Sequence, residues 1–243
     1  MKYDADFFNT ERNLSASTAR KLVPVIASIL HPQSVIDVGC GVGAYLAEFK
    51  RLGINDLQGV DGTLPDDRVL MVSPDLIMIR DLRKPLSIGR KYDLVLSIEV
   101  AEHLPSYCSD TFVDSLISLG DVVVFSAAIP RQRGTYHINE QWQDYWARKF
   151  ANRGFGHSTT LREMIWADDE LDPVVRQNII LYSCFSLDPS SLTELESQSL
   201  RELRIVHPEL YLMRTAPGRL KDLIKFTIGS FMNYIAVRRQ HER

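Results

Sequence analysis

Three glycines at alternate positions, directly after a short apolar run, have the clearest chemical meaning in this sequence. Residues 34–43 read Ser-Val-Ile-Asp-Val-Gly-Cys-Gly-Val-Gly, so that Asp37 stands just before Gly39, Gly41 and Gly43. The β-branched residues suit a strand that is buried on both faces of a parallel sheet. Glycines in the turn that follows let a ligand approach the backbone, and the next helix offers free N–H groups at its N-terminus. The segment therefore predicts a strand, a ligand-binding turn and a helix.

The charge beside this turn indicates which ligand it binds. The spacing is G-x-G-x-G, with Cys40 between the first two glycines, and it differs from the G-x-G-x-x-G of dinucleotide sites. The carboxylate of Asp37 would repel a pyrophosphate, whereas it would attract the ammonium and sulfonium groups of S-adenosylmethionine. We therefore expect S-adenosylmethionine as the cofactor. A nucleotide-dependent oxidoreductase and a glycine turn without any ligand stay open as alternatives.

Two further acids stand where a nucleoside would be bound. Asp61, followed by Gly62, lies at the end of the next predicted strand, 18 residues after Gly43 (61 − 43). A carboxylate at this distance in a βαβ unit can accept hydrogen bonds from both ribose hydroxyls. Asp81, or the backbone of Leu82, would meet the exocyclic amine of an adenine. For both acids the alternative is a plain turn aspartate.

Candidate catalytic residues follow the fourth predicted strand. Ligands of open α/β sheets bind beyond the carboxyl ends of the strands, so residues 97–103 should line the pocket. A hydroxyl acceptor has to lose its proton, and neutral imidazole can accept one near pH 7. His103 is the first candidate base, and its alternative is a histidine that bonds to the backbone at a helix start. His137 is the second, with Glu140 or Glu102 behind it.

An alternation of strands and helices must position these residues. Periodicity and β-branched runs predict strands, after the first, at residues 56–61, 76–81, 92–99 and 121–126, with the last strands in 155–166 and 178–185. Helical patterns run from Ser15 or Ser17 to Leu30, after the glycine turn, before Gly120, and from Trp142 to Gly154. This alternation predicts a doubly wound α/β sheet.

The two ends of the chain read as helical extensions. Residues 1–13 form either a short helix packed on the core or an aromatic flap over the pocket, with Tyr3, Phe7 and Phe8 as its apolar residues. We expect an N-terminal part at residues 1–30, a cofactor-binding domain at 31–187 and an extension at 188–243. Residues 217–239 form a basic amphipathic helix that packs on the domain, on a second subunit, or on an anionic membrane surface.

Composition excludes several classes of protein. The 243 residues are 45% hydrophobic and 24% charged, with a net charge of −3, which gives no general reason to expect nucleic acid as a partner. Cys40, Cys108 and Cys184 lack the spacing of a disulfide framework or a zinc site, so we predict free thiols and no metal. Acids at the N-terminus replace a signal peptide, and we expect a cytoplasmic location.

Residues 37–43, Asp61, Asp81 and residues 99–103 together resemble the motifs of class I S-adenosylmethionine-dependent methyltransferases, over roughly residues 1–185. The chain is similar to a bacterial small-protein group with Val-Ala-Glu-His-Leu, here residues 100–104, and a later His-x-Asn-Glu-Gln-Trp, here 137–142. The resemblance implies a Rossmann-like, seven-stranded sheet whose last strand is antiparallel. It also implies cofactor-binding roles for twelve residues: Asp37, Gly39, Cys40, Gly41 and Gly43 for the methionine part, Asp61 with Gly62 for the ribose, Asp81 and Leu82 for the adenine, and Ser97, Ile98 and Glu99 for the amino end.

The same resemblance implies methyl transfer to a small-molecule acceptor, with a sugar or glycoconjugate hydroxyl as the expected class. Such folds methylate many atoms on many substrates, so the acceptor has to be argued from the site. No Asn-Pro-Pro-Tyr-type signature follows the fourth strand, which disfavours a nucleic-acid base as acceptor. A cofactor-binding regulatory or scaffold protein without activity remains the alternative of a different class.

Overall fold

The computed structural model describes residues 5–184 and 203–215, with the backbone alone for residues 5–13 and 214. Seven strands form one sheet in the order β3-β2-β1-β4-β5-β7-β6. Their bounds are β1 Ser34–Val38, β2 Asp56–Asp61, β3 Ile77–Ile79, β4 Leu94–Ile98, β5 Val122–Ser126, β6 Phe155–Ser158 and β7 Ile180–Cys184. β7 is antiparallel to β5 and to β6, while the first five strands pair in parallel. The predicted Rossmann-like sheet with an antiparallel last strand is confirmed.

Helices cover both faces of this sheet because its strands are apolar on both faces. These helices are α1 Ala5–Leu30, α2 Ala44–Arg51, α3 Ser109–Leu119, α4 Gln143–Ala151, α5 Thr160–Ile165 and α6 Pro173–Asn178, and a further helix, α7 Pro208–Thr215, belongs to a separate compact unit. Side chains alternate along each strand, so that Ile36 and Val38 face the core under α3 and α4 while Val35 faces the core under α1 and α2. The result is a three-layer sandwich with one apolar core on each face of the sheet.

α1 differs from its prediction, which placed a helix start at Ser15 or Ser17. A single helix begins at Ala5 and has Pro24 in its interior. An interior proline costs about 3 kcal/mol, but Leu22 and Ile26 are fully buried on the same helix. Burial of each such side chain stabilises by ~1.5–3 kcal/mol, which offsets the proline. The side chains of the predicted aromatic flap lie outside the described residues.

The first compact unit comprises Met1–Ile205 and the second Val206–Arg243. Leu203 is fully buried in the first unit, and Arg204 there pairs with Asp144 through two hydrogen bonds of 2.8 Å. The predicted connector 186–200 and the amphipathic segment 217–239 lie outside the described residues. Within the described part of the chain, no helix is long and apolar enough to cross a membrane.

Candidate active site

The turn between β1 and α2 depends on glycine at two positions, for its backbone angles and for the space around it. Gly39 and Gly41 have φ angles of +86° and +50°, in the left-handed region. A β-carbon on Gly39 would lie 2.3 Å from Val100 Cγ2, whereas one on Gly41 would meet no atom within 4 Å. Gly39 thus lets the chain pass close to the loop after β4, and Gly41 leaves open space beside the turn.

Asp61 at the end of β2 holds this turn in place. Its Oδ2 accepts a hydrogen bond of 2.9 Å from the Gly41 N–H, and its Oδ1 accepts one of 3.0 Å from the Thr63 N–H. Each carboxylate oxygen has a second acceptor site. Asp61 can therefore bind a ligand's hydroxyls while it keeps the turn fixed.

A cavity of about 510 Å³ opens beside the turn, at the carboxyl ends of the parallel strands. Eight of the predicted site residues line it: Gly39, Gly41, Asp61, Gly62, Asp81, Leu82, Glu99 and His103. Two hydrogen bonds from Arg83, of 2.8 and 2.9 Å, hold the pKa of Asp81 at about 2, so this acid is ionised at the mouth of the cavity. The sheet thus brings together residues that are up to 64 positions apart (103 − 39).

Other predicted residues do not line the cavity. The side chains of Cys40 and Ile98 lie in the core under α1 and α2, and a β-carbon on Gly59 would be 2.8 Å from Cys40 Sγ. Gly43 abuts Val72, and the Ser97 hydroxyl is buried in β4, where no described residue forms a hydrogen bond with it. Because side chains alternate along a strand, only part of a contiguous motif can face the ligand.

Asp37 lies beneath the turn and is not part of the cavity wall. Its side chain is 1% exposed, and its Oδ2 has no hydrogen-bond partner within the described part of the chain. Burial, together with the charge of Asp61, raises the pKa of Asp37 to about 8. A buried acid with an unsatisfied oxygen is stabilised by positive charge nearby. This observation fits a cationic ligand at the turn and disfavours a pyrophosphate.

Glu99 connects the cavity to loops that come much later in the chain. It has a φ of +54°, and its N–H donates to the Ser126 hydroxyl at 3.0 Å. Its two carboxylate oxygens accept hydrogen bonds of 3.0 Å from the amides of Gln132 and Asn178. Burial raises the pKa of Glu99 despite these bonds. Neither amide was predicted, because no local pattern relates residues 132 and 178 to the fourth strand.

A second group of ionisable side chains adjoins Glu99. One potential ligand atom from each of Glu102, His103 and His137 lies within 4.8 Å of the others. The two imidazole rings meet edge to face with centroids 4.9 Å apart. Burial and the neighbouring His137 lower the pKa of His103 to about 4, so the His103 imidazole is neutral at pH 7.

The loop that precedes α4 brings His137 to this group. The N–H groups of Ile138 and Asn139 donate to the Glu102 carbonyl at 2.9 and 3.0 Å. The third predicted catalytic residue, Glu140, does not line the cavity. Its carboxylate accepts hydrogen bonds from the N–H groups of Arg131 and Arg133 and lies 3.1 Å from His137 Nδ1. Glu140 therefore positions the loop and the histidine.

Comparison with protein families decides the identity of this fold. A family model described as a methyltransferase domain matches residues 10–171, more than half of the chain. The chain belongs to this family. The match agrees with the class I, S-adenosylmethionine-dependent methyltransferase that the motifs predict, and it removes the oxidoreductase alternative.

Solved structures of methyltransferases share the fold. The methyltransferase domain of bacterial CtHen1-C has a TM-score of 0.50 at 17% identity, over 70% of this chain and 98% of its own. The plantazolicin methyltransferase BpumL, solved with SAH, has a TM-score of 0.50 at 14% identity, over 74% of this chain and 91% of its own. Magnesium protoporphyrin IX methyltransferase from Synechocystis PCC 6803 has a TM-score of 0.49 at 17% identity, over 76% and 90%. A comparison with curated proteins found no match.

The residues of this methyltransferase fit its cofactor, S-adenosylmethionine. The unsatisfied carboxylate of Asp37 suits positive charge, Gly41 leaves space at the backbone, and Oδ2 of Asp61 has a second acceptor site. The methionine part of the cofactor at the glycine turn and the ribose at Asp61 stay predictions from the motifs. Asp81 and Leu82 remain the predicted adenine site.

Proposed function

We propose that this methyltransferase methylates a hydroxyl group of a small polar molecule, with a sugar or glycoconjugate as the acceptor class. The observation that supports a hydroxyl acceptor is the state of His103, which lines the same cavity as Gly39 and Gly41. Its Nδ1 is buried and has no hydrogen-bond partner among the described residues, and its ring is neutral at pH 7. A neutral imidazole nitrogen with a free lone pair can accept the hydrogen bond of an acceptor hydroxyl.

The residues of the chain would act mainly by aligning the acceptor hydroxyl with the methyl group of the cofactor. S-adenosylmethionine supplies an electrophilic methyl group on a sulfonium whose departure leaves a neutral thioether. Holding a nucleophile in line with such a group can contribute ~7–11 kcal/mol in favourable cases. A pKa of about 4 makes His103 a weak base, so its contribution lies towards the lower end of the ~10²–10⁴-fold range of general bases. Its first role would be to orient the hydroxyl.

The test is turnover of the His103→Ala variant, measured as release of S-adenosylhomocysteine with pools of sugars and glycosides. We expect at least a tenfold loss of turnover and unchanged affinity for S-adenosylhomocysteine, since the cofactor turn is untouched. His31→Asn, at an exposed histidine on the opposite side of β1 from the turn, serves as the control. Unchanged turnover in His103→Ala would contradict the role of His103. Cofactor binding without turnover on any acceptor would instead support the inactive, regulatory alternative.

A further inference from the structure

The group formed by Glu102, His103 and His137 has the composition of a metal site that the sequence did not predict. We propose that these three side chains bind a divalent first-row transition-metal cation, and that this cation binds the oxygen of the acceptor hydroxyl. The second part of this inference rests on the proposed function, whereas the cation site itself does not.

The geometry of the group is close to that of a coordination sphere. Glu102 Oε1 lies 4.0 Å from His137 Nε2, and all three ligand atoms lie within 4.8 Å of one another. Nitrogen and oxygen ligands bind such cations at ~2.0–2.2 Å, so two donors on opposite sides of one ion are about 4.4 Å apart at most. Small side-chain rotations would therefore bring all three donors onto a single ion.

Glu102 is a buried acid beside a second buried acid, Glu99, so a positive partner would stabilise its carboxylate. Its side chain is 0% exposed, and neither carboxylate oxygen has a hydrogen-bond partner among the described residues. Buried carboxylates are normally paired, hydrogen-bonded or bound to metal, because an unpaired buried charge is strongly unfavourable. Burial and the charge of Glu99 both disfavour an ionised Glu102 that has no cation beside it. A cation would satisfy the Glu102 carboxylate directly.

Both histidines are held in the way that metal ligands are held. His137 Nδ1 is 3.1 Å from the Glu140 carboxylate, which leaves the Nε2 lone pair towards Glu102. The His103 ring bonds to the backbone of Tyr136, and its Nδ1 has no hydrogen-bond partner in residues 5–184 and 203–215. Metal-binding histidines commonly donate their second N–H to a carboxylate or a carbonyl, which fixes the tautomer. Two imidazoles and a carboxylate suit Mn²⁺, Fe²⁺, Co²⁺ or Zn²⁺ better than Mg²⁺ or Ca²⁺.

The position of the group relates it to methyl transfer. His103 and Glu99 belong to the wall of the cofactor cavity, so an ion on His103 would lie next to that cavity. Binding to a cation lowers the pKa of a hydroxyl, as it does for bound water. The hydroxyl proton passes to solvent water, the oxygen lone pair forms the O–CH₃ bond, and the methyl–sulfur electron pair goes to sulfur. His103 then acts as a ligand and not as the base.

The experiment measures Mn²⁺ binding by electron paramagnetic resonance, using tag-free full-length protein that has been treated with chelator and dialysed. We expect one Mn²⁺ per chain in the wild type, and at least tenfold weaker affinity in Glu102→Gln and in His137→Gln. Glu102→Gln removes a buried acid without changing its shape, and it should fold. Glu170→Gln, at a surface acid paired with Lys21, is the control and should bind like the wild type. No Mn²⁺ binding by the wild type, or full affinity in Glu102→Gln, would overturn the site.

Measurements of turnover test the role of the cation in methyl transfer separately from the existence of the cation site. If chelated protein loses S-adenosylhomocysteine release and Mn²⁺ restores it, both parts of the inference hold. Full turnover in chelator would overturn the role of the cation and leave the proposed function intact. Specific Mn²⁺ binding in a protein that methylates no hydroxyl compound would support the site and contradict the proposed function.

Discussion

Cofactor binding should depend on pH through the buried carboxyl of Asp37. With a pKa of about 8 in the protein without ligand, this group is protonated in roughly nine molecules of ten at pH 7. A ligand with ammonium and sulfonium charges favours the ionised form. Binding below pH 8 should therefore release a proton, and protons should compete with the cofactor.

The magnitude of this effect follows from the pKa of about 8 for Asp37. Each pH unit well below the pKa costs about 1.4 kcal/mol for ionisation, so affinity should fall by up to about 50-fold between pH 8, where half of the groups are protonated, and pH 6. The unliganded protein has the opposite dependence. Because the folded pKa of Asp37 lies above its unfolded value of 3.8, the native state retains the proton. The free energy of unfolding should fall as pH rises from about 4 to about 8 and then level off.

The assay is calorimetric titration of S-adenosylmethionine at pH 6, 7 and 8, with wild type and Asp37→Asn compared at each pH. Asparagine keeps the shape of the side chain and does not titrate, so the difference between the two proteins isolates Asp37 from the ligand's own amine. We expect a steeper rise of affinity with pH in the wild type. In urea unfolding of the unliganded proteins, the wild type should lose stability from about pH 4 to about pH 8 relative to Asp37→Asn. Equal pH slopes in the two proteins would refute the reasoning.

Two further predictions concern the glycine turn. Asp61→Ala removes the acceptor of the Gly41 and Thr63 N–H groups, so it should lower the free energy of unfolding by about 2–4 kcal/mol in urea denaturation. It should also weaken cofactor binding in calorimetry. Unchanged stability would contradict the role of these two hydrogen bonds. Gly39→Ala should lower the free energy of unfolding by about 2–5 kcal/mol in urea denaturation, because of the positive φ and the contact with Val100. Adding Val100→Ala should recover only the stability lost through that contact. Full recovery of stability would mean that the backbone conformation is not strained.

The sequence predicted the fold well where local and tertiary signals agree. β2 has the predicted bounds, Asp56–Asp61, because its apolar run ends in an acid and glycine. β3 is shorter than predicted and spans Ile77–Ile79, since it can pair only as far as the end of β2, where Asp61 meets Ile79. The segment 155–166 supplies a strand only for Phe155–Ser158 and then becomes α5. Pairing partners, which a sequence pattern does not contain, set these limits.

The site was predictable at the cofactor turn and not beyond it. Motif spacing located the glycines and Asp61 because those residues lie within one βαβ unit. His137 comes 34 residues after His103 (137 − 103), and a loop with positive φ angles at Arg131, Arg133 and Tyr136 brings the two together. Such a loop conformation leaves no periodic signal in the sequence. The three-residue cluster therefore became visible only in three dimensions.

The buried acids at the carboxyl edge of the sheet have one physical explanation. Burial raises the pKa of Asp37, Glu99 and Glu102, so each destabilises the protein when ionised without a partner. The two apolar cores on either side of the sheet stabilise the fold and offset this local loss of stability. An edge with this charge is stabilised by cations and rejects phosphates, so the same wound sheet that binds pyrophosphate in dinucleotide enzymes binds a sulfonium here. The choice between these ligands follows from the acids beneath and beside the glycine turn, since glycines alone serve both.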